Sequence, residues 1–211
     1  RNNKISNEWN SLNIISNDAS TVGSFDLGIY KNSNNENEVL KNLQNNVYEM
    51  VYLLGVDNLN FDKKKEFVIY QGSHGDKGAE LADIILPGAA FTEQDGHYTN
   101  LEGVIQKAYK ASYPPGEAKE DWLIIKELAN NLGAKNFYET KENLEKSMFN
   151  YLNLHNSKIN TSNKINNNFV KEKITIKDID YYHSNAIARA SKTMRECKSS
   201  KVNLKSTGTE G

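Results

Sequence analysis

The residues with the clearest chemical potential are Gly72-Ser73-His74-Gly75-Asp76-Lys77-Gly78. A glycine-rich stretch between a strand and a helix lets backbone N–H groups turn inward and cradle a phosphate. The spacing here is neither the dinucleotide fingerprint nor a Walker loop, which ends in Gly-Lys-Ser/Thr. The plainer reading is a turn that places the next element. His74 and Asp76 are close enough in sequence to form an acid/base pair, the carboxylate orienting the imidazole and raising its pKa. Glu93, Asp95, His97 and Glu102 make a second polar cluster. The four histidines, at positions 74, 97, 155 and 183, are too scattered for a metal-ligand spacing. No Gly-x-Ser-x-Gly elbow presents a nucleophilic serine. The single cysteine, Cys197, excludes an internal disulfide and any Cys-ligated iron–sulfur cluster or zinc site held by this chain alone.

The elements that must position these residues are legible from hydrophobic patterning. Met50 to Leu54, Phe67 to Tyr70 and Ile84 to Leu86 are short continuous apolar runs, as expected of strands buried on both faces. They predict a parallel sheet in an α/β domain. Pro87-Gly88 ends the third run, because proline cannot donate to the ladder. Trp9, Leu12, Ile15 and Ala19 fall at helical spacing and predict a first amphipathic helix. After Pro114-Pro115-Gly116, the acidic Glu117, Glu120 and Asp121 precede Trp122, Ile125, Ala129 and Leu132. Acidic residues suit the positive end of a helix dipole, and Gly133 is placed to end that helix. Leu144, Met148 and Tyr151 predict a further, shorter helix.

Thirty asparagines, many in patches such as 32–35 and 166–168, read as loops, since Asn competes with regular backbone pairing. Residues 154–169 read as a linker, and Ile174 and Ile176 as flanks of an extended segment. Ile187, Ala190, Met194 and Cys197 then share one helical face, making Cys197 a packed or partner-facing thiol. Arg189, Lys192, Arg195, Lys198 and Lys201 form a basic stripe, read first as a solvated face and second as a contact for an acidic partner. The expected organisation is an α/β portion at 1–113, a helical portion at 114–153, the linker at 154–169 and a C-terminal docking tail at 170–211.

Charge and length narrow the function classes. The chain has 211 residues with 26 basic and 27 acidic side chains, so nothing singles out nucleic acid as a partner. Residues 170–211 carry nine basic and five acidic side chains, which leaves an acidic body ahead of a basic tail. The longest apolar runs fall short of the roughly 20 residues that cross a bilayer, so no membrane span and a soluble chain are expected. Arg1 is not an initiator methionine and no apolar signal core follows it, as for a processed chain, an incomplete one or a piece of something longer.

Longer blocks carry a family resemblance. Val68 to Ala79, then Ala82-Asp83-Ile84-Ile85-Leu86-Pro87-Gly88-Ala89-Ala90, resemble the large iron-sulfur subunit of respiratory complex I. The similarity continues through Thr92-Glu93 and Tyr98-Thr99-Asn100-Leu101-Glu102-Gly103, and resumes at Pro114 to Trp122. Val51 to Asp57 resembles the preceding strand and turn. Thr175-Ile176-Lys177-Asp178 and Ala188 to Met194 are similar to the C-terminal tail of the mitochondrial form.

The resemblance implies the end of a molybdopterin oxidoreductase-like domain, α/β with a parallel sheet, plus a helical C-terminal extension. It implies a structural portion of NADH:ubiquinone oxidoreductase, at the matrix side of the mitochondrial inner membrane. Its partners would be other peripheral-arm subunits, including the cluster-bearing N-terminal part of the same subunit. It implies no cofactor in this chain, the iron–sulfur clusters lying in that other part, and no catalytic, cofactor-binding or metal-ligating residue here. The family's usual Arg after Glu-Gly is Val104, which removes a bidentate donor for an anion. The alternatives are a molybdopterin-binding oxidoreductase fragment, with the 72–78 loop and the 98–103 block lining a pterin, and a free-standing interaction domain.

Overall fold

The structure, a computed structural model, describes residues 15–16, 18–29, 36–59, 61–134, 138–156 and 180–206. Three parallel strands form its centre: β1 (Met50–Leu54), β2 (Phe67–Gly72) and β3 (Ile84–Pro87), in that spatial order. The register aligns Leu53 with Tyr70 and Tyr70 with Ile85, so these side chains share one face. On that face Leu53, Val68 and Tyr70 are buried with Leu43 of α2 (Glu36–Gln44) and Phe61 of the β1–β2 connection. Ala79 and Leu81 of α3 (Lys77–Leu81) pack against the same cluster. Each large apolar side chain removed from water here contributes about 1.5–3 kcal/mol.

The three expected strands are thus present and parallel, but only β2 is mostly buried. Met50 is 60% exposed, Ile84 43% and Ile85 55%. β1 and β3 flank a three-stranded sheet, and continuous apolar runs in edge strands are not covered by the described residues on both faces. The run ends at Pro87 as the sequence suggested.

A hairpin that the apolar pattern did not announce follows, with β4 (Gly96–Thr99) antiparallel to β5 (Ile105–Ala108). Its turn explains the Thr-Asn-x-Glu-Gly block. Asn100 Oδ1 accepts from the N–H groups of Glu102 and Val104, each at 2.9 Å, and Gly103 takes φ +81°. A short helix, α1 (Thr21–Asp26), lies near β4. Of the expected helix at residues 9–19, positions 9–14 and 17 fall outside the described residues, and Ala19 sits in the turn before α1.

The helix expected after Pro114-Pro115-Gly116 is α4 (Asp121–Asn131), with Gly133 at φ +77° closing it. Compact units divide the chain at Lys141 and Glu142. The helix marked by Leu144, Met148 and Tyr151 is α5 (Lys141–Asn156), with 16 residues against 11 in α4, so it is longer rather than shorter. Positions 157–179, including most of the expected linker and the Ile174–Ile176 segment, lie outside the described residues.

In the second unit the expected single helix is two, α6 (Ala186–Ala190) and α7 (Lys192–Ser206). Ser191 is extended between them, and its Oγ accepts from Met194 N–H at 3.3 Å. A hydroxyl that caps a new helix breaks the phase of the old one. Arg189 therefore sits on a different helix from Lys192, Arg195, Lys198 and Lys201. Lys198 pairs with Asp180, Lys192 faces Glu196 at 3.8 Å, and Lys201 lies over the Tyr181 and Tyr182 rings at 5.9 and 6.0 Å. Cys197 is exposed among the described residues rather than packed against them.

Candidate functional site

Parallel strands send their carboxyl ends to one edge of a sheet, where crevices commonly bind ligands. Here β2 and β3 end at Gly72 and Pro87, and a cleft of about 340 Å³ opens between them. Gly72, Ser73, His74, Pro87, Gly88 and Glu93 line one part, and Pro115, Glu117 and Ala118 the rest.

The glycine-rich stretch reaches this cleft, and two of its amides bond within the chain. Lys77 N–H donates to Asp76 Oδ1 at 2.9 Å, and Gly78 N–H donates to Asp57 O at 2.9 Å. Asp76 is the N-cap of α3. His74 Nδ1 meets Ser73 Oγ at 2.9 Å, while the His74 carbonyl lies 2.8 Å from the Tyr70 hydroxyl, itself 2.6 Å from Asp57 Oδ1. The glycines serve packing. A Cβ on Gly72 would fall 2.2 Å from the Tyr70 hydroxyl, and one on Gly78 would fall 2.5 Å from Val56 O. The loop is therefore a turn drawn tightly around Tyr70, which is 1% exposed.

Below the cleft lies a polar latch that sequence reading missed. Tyr52 of β1 donates its hydroxyl to Gln71 Oε1 of β2. Gln71, 0% exposed, donates Nε2 to Asp121 Oδ1 at 2.8 Å. Gln94 donates Nε2 to Asp121 Oδ2 at 2.7 Å and accepts from Asp121 N–H at 3.1 Å. Asp121 thus joins β2, the 88–95 segment and the start of α4. Gly88 permits the approach, since a Cβ there would meet Asp121 Oδ1 at 2.8 Å. Burial, reinforced by the Asp121 charge, pushes the Tyr52 hydroxyl above its ordinary pKa. The only sequence signal was a glutamine inside an apolar strand.

The second predicted cluster does not converge. Glu93 Oε2 accepts from Ala90 N–H at 2.9 Å, closing its own turn. Asp95 Oδ1 accepts from Lys110 N–H at 2.7 Å, which holds its pKa below the ordinary value. His97 stands opposite Lys107 in the hairpin, and Glu102 is exposed at its tip. The strongest charge cluster is instead Glu120, which accepts from Lys110 at 3.2 Å, Lys141 at 2.7 Å and Trp122 Nε1 at 3.1 Å. Burial works to raise the Glu120 pKa, but the bonds from Lys141 and Lys110 outweigh it and hold the carboxyl low. Among the described residues, no three His, Cys, Asp or Glu side chains gather as metal ligands.

The cleft does not suit an anionic pterin. Its charged lining is Glu93 and Glu117, beside His74, with no Lys or Arg among the lining residues. Tyr98, Thr99, Asn100 and Leu101 line a separate hollow of about 460 Å³ with Ser16, Asp18 and Val22. Val104 is half-exposed at the hairpin turn and lines neither. The two blocks that would have to flank one pterin thus face different hollows.

Comparison with known proteins follows the same division of the chain. A family model for molybdopterin oxidoreductase matches residues 1–131, and one for the C-terminal region of the NADH-ubiquinone oxidoreductase G subunit matches residues 143–197. The NADH-quinone oxidoreductase G subunit of Rickettsia bellii is 41% identical over 212 residues, covering 95% of this chain and 29% of that protein. The NADH-ubiquinone oxidoreductase 75 kDa subunit of Reclinomonas americana is 40% identical over 202 residues, with 90% and 29% covered. The mitochondrial 78 kDa subunit of Candida albicans is 44% identical over 136 residues, with 64% and 18% covered. The chain therefore spans less than a third of the length of these relatives. By the match over most of its length, this chain belongs to the molybdopterin oxidoreductase family.

Proposed function

We propose that the chain is the structural C-terminal portion of the large iron-sulfur subunit of complex I, supporting the peripheral arm in electron transfer from NADH to quinone. The observation that carries this reading is similarity to a bacterial NADH-quinone oxidoreductase G subunit over 95% of the chain. The turn around Tyr70 and the latch at Asp121 support it, since both spend their polar groups inside the chain. No helix among the described residues is long and apolar enough to cross a membrane, as suits a peripheral position. The place is the matrix side of the mitochondrial inner membrane, the neighbours are other peripheral-arm subunits, and the clusters belong to the N-terminal part of the same subunit. The chain itself holds no cofactor and performs no chemical step.

Blue-native electrophoresis tests the assignment. The chain should co-migrate with a large NADH-oxidising assembly, and migration apart from it would contradict membership. Iron and acid-labile sulfide should be absent from the isolated chain, and stoichiometric iron would contradict the structural role. Release of a fluorescent oxidised pterin on denaturation would favour a cofactor-binding fragment instead.

A further inference from the structure

The turn that leads into α6 gathers a carboxylate, an imidazole and an ammonium group around one oxygen atom. Asp180 Oδ1 accepts from the N–H groups of Tyr182 and His183, each at 3.2 Å. Its other oxygen, Oδ2, accepts from Lys198 of α7 at 2.5 Å. The bond from Lys198 holds the Asp180 carboxyl below its ordinary pKa, so the group is an anion at neutral pH. His183 Nδ1 stands 3.3 Å from the same ammonium nitrogen and 3.8 Å from Asp180 Oδ2. Of the other ionisable side chains on the adjoining helices, Arg189 is on α6. On α7, Lys192 faces Glu196, Lys201 lies over the Tyr181 and Tyr182 rings, and Arg195 and Cys197 are exposed.

Donor and acceptor counting fixes the state of this ring. An ammonium group only donates, so Nδ1 beside it must accept, and the single proton of the neutral ring sits on Nε2. Nε2 is buried and has no hydrogen-bond partner, so the neutral ring leaves a donor unsatisfied. The His183 side chain is 23% exposed, which gives a proton from solvent access to the ring. Protonation would place an N–H on Nδ1 and a second positive charge 3.3 Å from the Lys198 ammonium nitrogen. Like charges at that separation repel, while Asp180 Oδ2 lies close to both.

We propose that His183 is a proton-operated catch on α7. While neutral, it accepts from Lys198, whose pair with Asp180 fixes α7 to the 180–185 turn. When protonated, it donates Nδ1–H to Asp180 Oδ2 in place of Lys198, and α7 loses that tether. Imidazole is the side chain whose charge ordinarily changes near neutral pH, which suits it to such an exchange. One ion pair replaces another, so the effect is local and the melting temperature is not its readout. The catch is a property of this chain and stands apart from the complex I reading.

Hydrogen exchange of the full chain at about pH 7.5 and about pH 5.5, corrected for the intrinsic pH dependence of amide exchange, is the test. Protection of the α7 amides around Lys198 should fall about tenfold at the lower pH. His183→Asn keeps an acceptor near the place of Nδ1 but does not titrate. Its protection should match wild type at the higher pH and stay there at the lower one. Lys198→Ala should show the reduced protection at both. No fall in wild type, or an equal fall in His183→Asn, would overturn the proposal. The NMR shifts of the ring nitrogens give an independent reading. Neutral His183 should carry its proton on Nε2, and a proton on Nδ1 instead would sink the idea even if the asparagine variant failed to fold.

Discussion

The two ends of the parallel sheet are built on opposite principles. At the carboxyl end Gln71 and Asp121 lie in a closed set of hydrogen bonds with Tyr52 and Gln94. At the amino end Met50, Phe67 and Ile84 stand 60%, 41% and 43% exposed. The carboxyl end is where open parallel sheets commonly place ligands, and here the polar groups beneath its cleft bond to one another within the chain. The amino end and the β1 edge keep apolar surface in water, which costs free energy unless another chain segment removes it. The contrast separates a part whose polar groups are satisfied within the chain from a part whose apolar side chains the described residues leave exposed.

Breaking the complete end should cost most. Asp121→Ala strands the buried Gln71 amide and the Gln94 amide, and should lower unfolding free energy by about 3 kcal/mol, measured by urea denaturation. A loss below about 0.5 kcal/mol would show that the latch is not structural. Gly78→Ala drives a methyl onto Val56 O and the Tyr70 ring, for an expected loss of about 1–3 kcal/mol in the same assay.

Acid should act through the carboxylates held low. Lys63 donates to Asp83, and Lys141 and Lys110 donate to Glu120, and both carboxyls have folded pKa values below the ordinary ones. Such groups give stability that is fully present above their unfolded pKa, about 3.9 for Asp and 4.3 for Glu, and that is lost as pH falls through the folded values. The melting temperature should be flat above about pH 5 and fall below about pH 4. Glu120→Gln should make that fall shallower, and an unchanged profile would remove Glu120 from the account. The smallest effect belongs to the exposed amino end: Met50→Gln should change the free chain's stability by no more than about 0.5 kcal/mol.

Much of the fold was legible because it was written in continuous apolar runs and in turn chemistry. Met50 to Leu54, Phe67 to Tyr70 and Ile84 to Leu86 fall on the three strands, and Gly133 ends α4. The burial of those runs was not legible, because apolar residues mark what must be covered without saying which chain covers it. The hairpin was hidden by strands of four residues with mixed polarity, although Asn100 and Gly103 carried its turn. The break between α6 and α7 turned on one hydroxyl, Ser191, inside an otherwise helical pattern. The 72–78 loop drew attention for its glycines. What they accommodate, the ring of Tyr70 and the Val56 carbonyl, are tertiary contacts that spacing alone does not reveal.

The central claim is that this chain is a non-catalytic structural portion of complex I. Quantitative mass spectrometry of the purified NADH-oxidising assembly, with iron analysis of the chain released from it, tests that claim most directly. The account predicts one copy of this chain for each copy of the cluster-bearing part, with no iron retained by the released chain. Absence of the chain from the assembly, or stoichiometric iron travelling with it, would contradict the account.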